Sequence, residues 1–170
     1  MVSKAINLLL RGFQFLWTLL IMALIGNMIA TAFAGNHSIV NYNMFVAVFG
    51  MLSLFYLIPA TLKPDFSFHP MLMVGLDVLN ALFYVIGGIA TAAYLGVHSC
   101  SNSDYTHSNK VTNGSRDTGK RCREAQASTA FLWFGFAAFA ASAVLSALQG
   151  RSGGSYRSGP AMSQVSGSHV

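Results

Sequence analysis

Charge is the scarcest property of this chain. Only 9% of its 170 residues are Asp, Glu, Lys or Arg, against about 25% in soluble globular domains. Hydrophobic residues make up 54%, and the mean hydropathy is +0.52. So few charges cannot cover the surface of a water-soluble fold this apolar, and that class is set aside. The residues of catalysis are scarce too. The five histidines, His37, His69, His98, His107 and His169, fall in loops or near the C-terminus, without the partners that a triad or a metal site demands. There is no Gly-rich loop of the phosphate-cradling kind, and no internal repeat from which to build alternating access. No enzyme, cofactor or metal ion is expected. The formal charge of +5 is not a nucleic-acid signature either, because no basic cluster is interleaved with aromatics in a soluble module.

What the chain has instead is long apolar runs. Gly12 to Ala34, Met44 to Leu62, Met71 to Val97 and Ala125 to Leu148 are each long enough for a bilayer, which needs about 20 residues as helix. Backbone amides in hydrocarbon must be satisfied within the segment, so each run is read as a helix. The expected fold is an all-α integral membrane protein. Its four-transmembrane-helix bundle occupies residues 1–148, with helices at about 12–34, 44–62, 71–97 and 125–148. The Ala30-Thr31-Ala32 stretch offers a signal-peptidase pattern, but the preceding run exceeds the roughly 7–15 apolar residues of a signal peptide, so it is kept as a span. Beyond Gln149 the chain turns Ser- and Gly-rich, and residues 149–170 are expected to form a disordered cytosolic tail.

Four spans place both termini on one side, together with the Lys63-to-Pro70 link. Counting Lys and Arg gives a tie. Lys4, Arg11, Lys63, Arg151 and Arg157 lie on the terminal side, against Lys110, Arg116, Lys120, Arg121 and Arg123 in the loop spanning residues 98–123. The positive-inside rule therefore decides nothing. Cys100 and Cys122 bracket that loop, and a disulfide between them would place it in an oxidising, exoplasmic compartment with the termini in the cytosol. Asn113-Gly114-Ser115 and Asn36-His37-Ser38 match the N-glycosylation pattern; Asn113 is the candidate, since Asn36 lies too near the membrane. The rival for the cysteines is a pair of small buried apolar residues.

Asp77 is the single charge within the third run, and Asn80 and Tyr84 follow it at helical spacing on one face. Gly88 and Thr91 continue the stripe. One reading is a lipid-headgroup or proton-linked site. The other, favoured because no second intramembrane acid or base completes a relay, is an interhelical hydrogen-bond network reaching Asn27, Tyr42 or Asn43. Small-xxx-small pairs occur at Gly26 and Ala30, Gly88 and Ala92, Ala137 and Ala141, and Ser142 and Ser146. They allow close helix approach, either within the chain or in self-association.

The loop and its flanks carry a family resemblance. Ala93-Tyr94-Leu95-Gly96-Val97-His98-Ser99-Cys100, Tyr105, Ser108-Asn109-Lys110, Gly114-Ser115 and Arg121-Cys122-Arg123-Glu124-Ala125-Gln126-Ala127 resemble the fungal non-classical export protein 2 family. Val40-Asn41-Tyr42-Asn43-Met44-Phe45 and Leu76-Asp77-Val78-Leu79-Asn80 resemble it too, and the likeness runs from about Lys4 to Leu148. That family belongs to the MARVEL-domain proteins, four-helix membrane proteins with cytosolic termini. The resemblance implies a plasma-membrane organiser of the eisosome compartment that responds to sphingolipids. Its implied partners are membrane lipids, further copies of itself and cytosolic eisosome scaffold proteins. A role in leaderless protein export is the alternative, and a small channel or proton-linked carrier using Asp77 is a second. The tail lacks a compact basic run, so tail-dependent organisation is not carried over.

Overall fold

Once the amides are bonded within each helix, only side chains remain to hold membrane spans together. The computed structural model describes residues 2–33, 35–63 and 70–153 of the chain. It contains five helices and no strand among those residues: α1 (Val2–Ala30), α2 (Ser38–Leu62), α3 (Pro70–Leu95), the short α4 (Ser103–Ser108) and α5 (Thr118–Gly153). Four of them, all but α4, are long and apolar enough to cross a membrane. Their order around the bundle is α1, α2, α3, α5, with α1 and α3 facing each other across the diagonal.

Several boundaries differ from those read in the sequence, because apolarity marks the bilayer and not the helix. α1 begins well before Gly12 and so includes Arg11. α2 starts at Ser38, six residues before the apolar run, where the His37 side chain accepts the Ile39 amide. α5 starts at Thr118, because Asp117 Oδ1 accepts the Lys120 N–H at 2.8 Å and caps the helix there. It also continues past Leu148 to Gly153, into the stretch expected to be disordered. The rest of the expected tail, residues 154–170, lies outside the described residues.

The interior is built from Ile21, Ile25 and Met28 of α1, Val46, Leu54 and Leu57 of α2, Tyr84 of α3, and Leu132 and Phe139 of α5. The outward faces are equally apolar: Phe45, Leu52, Phe55, Leu82, Ile86, Ile89, Phe134 and Val144 are all exposed. Apolar surface on both sides of a helix is the pattern of a lipid-embedded bundle. Close approach is set where a large group meets a glycine. The Tyr84 ring lies directly over Gly135, leaving no room for a Cβ there, and a Cβ on Gly50 would stand 2.8 Å from the Tyr84 hydroxyl. Gly88 meets the Trp133 indole in the same way, so this small residue serves packing within the chain. Gly96, at φ +59°, ends α3 in the left-handed conformation that glycine adopts without penalty.

Replacing Gly135 with Val should therefore drive a side chain into Tyr84 and cost about 1–3 kcal/mol. Gly12→Ala, where nothing lies within 4 Å, should be neutral or better. Thermal unfolding of the two variants in the same detergent measures the difference.

Candidate functional site

The polar groups within the spans form two matching stripes. On α1, Arg11, Gln14 and Thr18 share one face; on α3, Asp77, Asn80 and Tyr84 repeat the same spacing. The two helices both run from the terminal side to the loop side, so one register offset serves along their length. Arg11 meets Asp77 and Thr18 meets Tyr84, each pair 66 residues apart in sequence.

The lower pair is a bidentate ion pair. Arg11 Nη1 donates to Asp77 Oδ1 at 2.5 Å and Nη2 to Oδ2 at 2.8 Å. Arg11 is 3% exposed and Asp77 is fully buried. Counted from the starts of their helices at 1.5 Å per residue, Arg11 lies about 13 Å and Asp77 about 10 Å in from the terminal side. Arg11 Nη1 also donates to Gln14 Oε1, and Gln14 Nε2 donates to Ala138 O and Ser142 Oγ on α5. Arg11 Nε reaches Thr61 Oγ1 of α2 at 3.4 Å. One guanidinium and the glutamine beside it thus link all four spans. Alone in hydrocarbon, each charge would cost at least about 2.5–3.5 kcal/mol on insertion scales; paired and fully hydrogen-bonded, they hold the bundle's diagonal.

Above this cluster the Thr18 and Tyr84 hydroxyls lie 2.6 Å apart, and Tyr84 packs on Phe139. Higher still, Asn43 Nδ2 donates to Thr91 Oγ1 at 2.7 Å, with the asparagine lying against Gly87. Asn27 Nδ2 donates to Glu124 Oε1 near the loop side. The side-chain carbonyls of Asn43 and Asn80 are buried without a hydrogen-bond partner among the described residues.

The structure brings Asp77, Asn80 and Tyr84 together in the interior, but their partners differ from those expected. Of the expected partners, Asn43 does bond the stripe, at Thr91, and Tyr42 donates to Phe83 O of the same helix, whereas Asn27 bonds Glu124 of α5 and none of the three reaches Asp77. The expectation that no second charge lies within the spans is also overturned, because Arg11 is inside α1. Counted by sequence among the terminal-side cations, it sits one residue before the uninterrupted apolar run, where such a side chain ordinarily reaches water. Its signal was the spacing of Arg11, Gln14 and Thr18, which copies that of Asp77, Asn80 and Tyr84.

The loop is an ordered cap. Cys100 and Cys122 form a disulfide with Cα atoms 5.6 Å apart, joining the segment after α3 to the first turns of α5. The Tyr105 hydroxyl donates to Leu95 O and Asn109 Nδ2 to Tyr94 O, so the loop satisfies two carbonyls left at the end of α3, while Gln126 Nε2 of α5 donates to the loop carbonyl of His98. Burial raises the Tyr105 phenol above its ordinary value. Arg121, read as a loop cation, is instead 2% exposed. It donates to Met28 O at 2.5 Å, Val111 O at 2.8 Å and Asn36 Oδ1 at 2.8 Å. Phe33 N–H donates to Gly114 O, so α1 is fastened to the same cap. Asn113 is exposed on this surface, whereas the Asn36 amide is engaged by Arg121.

Four apolar spans around a hydrogen-bonded interior, with one disulfide-closed loop, define a multi-pass helical membrane protein. Residues 4–145 match the family model MARVEL, a membrane-associating domain. Non-classical export protein 2 of Saccharomyces cerevisiae is 37% identical over 161 residues, which cover 94% of this chain and 89% of that protein. Non-classical export protein 102 of Candida albicans is 38% identical over 169 residues, covering 94% and 97%. A homologue of non-classical export protein 2 in Schizosaccharomyces pombe is 29% identical over 136 residues, covering 79% and 73%. The chain belongs to the MARVEL family, and within it to the group of non-classical export protein 2. No solved structure matches it.

Removing one member of the Arg11–Asp77 pair strands a buried charge and should cost about 3–5 kcal/mol, whereas Arg11→Met with Asp77→Leu should recover much of the loss. A double-mutant cycle on unfolding in mixed micelles measures this. Reduction of the disulfide, whose cysteines are separated by 22 positions in sequence, should cost about 2–4 kcal/mol, read as a lower unfolding midpoint together with a slower-migrating band on a gel.

Proposed function

We propose that this protein is an organiser of plasma-membrane microdomains: a sphingolipid-responsive scaffold of the eisosome compartment with cytosolic termini and the disulfide-closed loop outside. The observation that carries this reading is how the polar groups are used. Both carboxylate oxygens of Asp77 are held by Arg11, and the neighbouring hydroxyls and amides bond across helices, while each span turns an apolar face outward. Such a body is suited to packing against lipids and other membrane proteins. It is poorly suited to a channel or proton-linked carrier through Asp77, whose carboxylate has no free oxygen to exchange a proton along a path. Family membership supports the choice of compartment, and the disulfide supports the orientation.

A second reading is favoured by the names of the relatives: a factor in the export of leaderless proteins. Here the surface patches would be normal, and deletion would trap leaderless cargo inside the cell.

A fluorescent fusion should give a punctate plasma-membrane pattern that disperses when sphingolipid synthesis is blocked. Uniform staining with and without the block would count against the scaffold. Normal patches with retained cargo on deletion would favour export.

A further inference from the structure

The loop side has charge that the fold does not use. Of its five basic residues, Arg121 is buried and bonded to three oxygens. Lys110, Arg116, Lys120 and Arg123 remain at the surface. Two of them converge on a cleft of about 420 Å³ where α1 ends and α5 begins, lined by Phe33, Ser115, Arg116, Asp117, Lys120 and Glu124 among others.

The two acids of this cleft each have a partner, although Asp117 stays exposed and keeps its charge beside the cations. Asp117 caps α5 through the Lys120 amide, and Glu124 is mostly buried and accepts from Asn27. The cations are held more loosely. Arg116 has neither a hydrogen bond nor an ion pair among the described residues and is exposed. Lys120 is 53% exposed, and its Nζ stands 3.7 Å from Glu124 Oε1, a loose contact of the kind that water screens. Beside them Phe33 is 67% exposed, and its backbone N–H donates a hydrogen bond to Gly114 O. It lies three residues beyond the end of α1, at the border of the span. A basic wall and an apolar projection at that depth match the two parts of a phospholipid: a phosphate above and the start of an acyl chain below.

We propose that this cleft binds the phosphate of an anionic lipid headgroup, with Arg116 and Lys120 as the phosphate-binding cations and Phe33 against the adjoining acyl chain. In the orientation proposed above the loop side is exoplasmic, so the headgroup is one of that leaflet. It deepens the scaffold reading by naming a chemical class of lipid, and it rests on that reading for its cellular meaning.

The test uses the full chain in nanodiscs of phosphatidylcholine mixed with phosphatidic acid, with retained lipids identified by native mass spectrometry. The wild-type chain should retain phosphatidic acid in preference. Arg116→Gln with Lys120→Gln should lower that preference about thirtyfold. Lys110→Gln with Arg123→Gln, the same charge change at exposed loop positions outside the cleft, should leave it in place. An intact disulfide on a non-reducing gel shows that both variants keep the loop closed. Retention unmoved by excess inorganic phosphate supports a lipid headgroup; complete displacement by phosphate overturns the lipid assignment. No preference, or equal losses in both double variants, overturns the cleft. Patches that still disperse on sphingolipid depletion would then leave the scaffold reading standing, whereas selective binding without patches would overturn that reading and leave the cleft.

Discussion

The ion pair between Arg11 and Asp77 is the constraint around which the rest of this bundle is arranged. α1 and α3 are diagonal neighbours with no close backbone approach, so only long side chains can join them. A charge–charge contact is effective there because hydrocarbon offers neither group another partner. The pair fixes the register of two parallel helices, and that register then delivers Thr18 to Tyr84. Gln14 and Thr61 extend the cluster to α5 and α2. Buried ion pairs are weak evidence of net stability in general, but here the geometry specifies one arrangement of four helices over its alternatives.

The other polar side chains follow the same economy. Thr18, Ser53, Thr61, Thr91, Ser128 and Thr129 each donate to the carbonyl four residues earlier in their own helix. Most of them need no water, and several accept or share a further bond with a neighbouring helix. On the loop side the cap does the equivalent work for helix ends. Arg121 and the side chains of Tyr105, Asn109 and Gln126 satisfy carbonyls of α1, of the loop and at the end of α3, and the disulfide holds the cap to α5. A residue that looks like a surface cation in a polar loop is thereby a structural bolt.

This division of labour bears on function. An interior whose charges neutralise one another leaves the outer surface and the loop as the places where the protein can act. The outer surface is apolar and meets lipid. The loop carries the remaining free charge at the membrane border, where headgroups lie. Both make lipids the immediate surroundings of this MARVEL-family protein.

The number of spans, their approximate positions and the loop with its two cysteines were legible in the sequence, because a bilayer demands a length of apolar residues that few other contexts produce. Asp77, Asn80 and Tyr84 were legible as one inward face for the same reason. The partners of that face were not. Arg11 lies at the edge of an apolar run, where side chains usually reach water, and its inward placement depends on α1 extending to Val2 and on a parallel helix presenting a carboxylate at the same depth. Arg121 likewise reads as one loop cation among five until α5 is seen to begin at Thr118, which turns its guanidinium toward the end of α1. Hydropathy is a property of a segment and survives in the sequence alone. Which charge meets which is a property of register between segments far apart in the chain, and only their packing decides it.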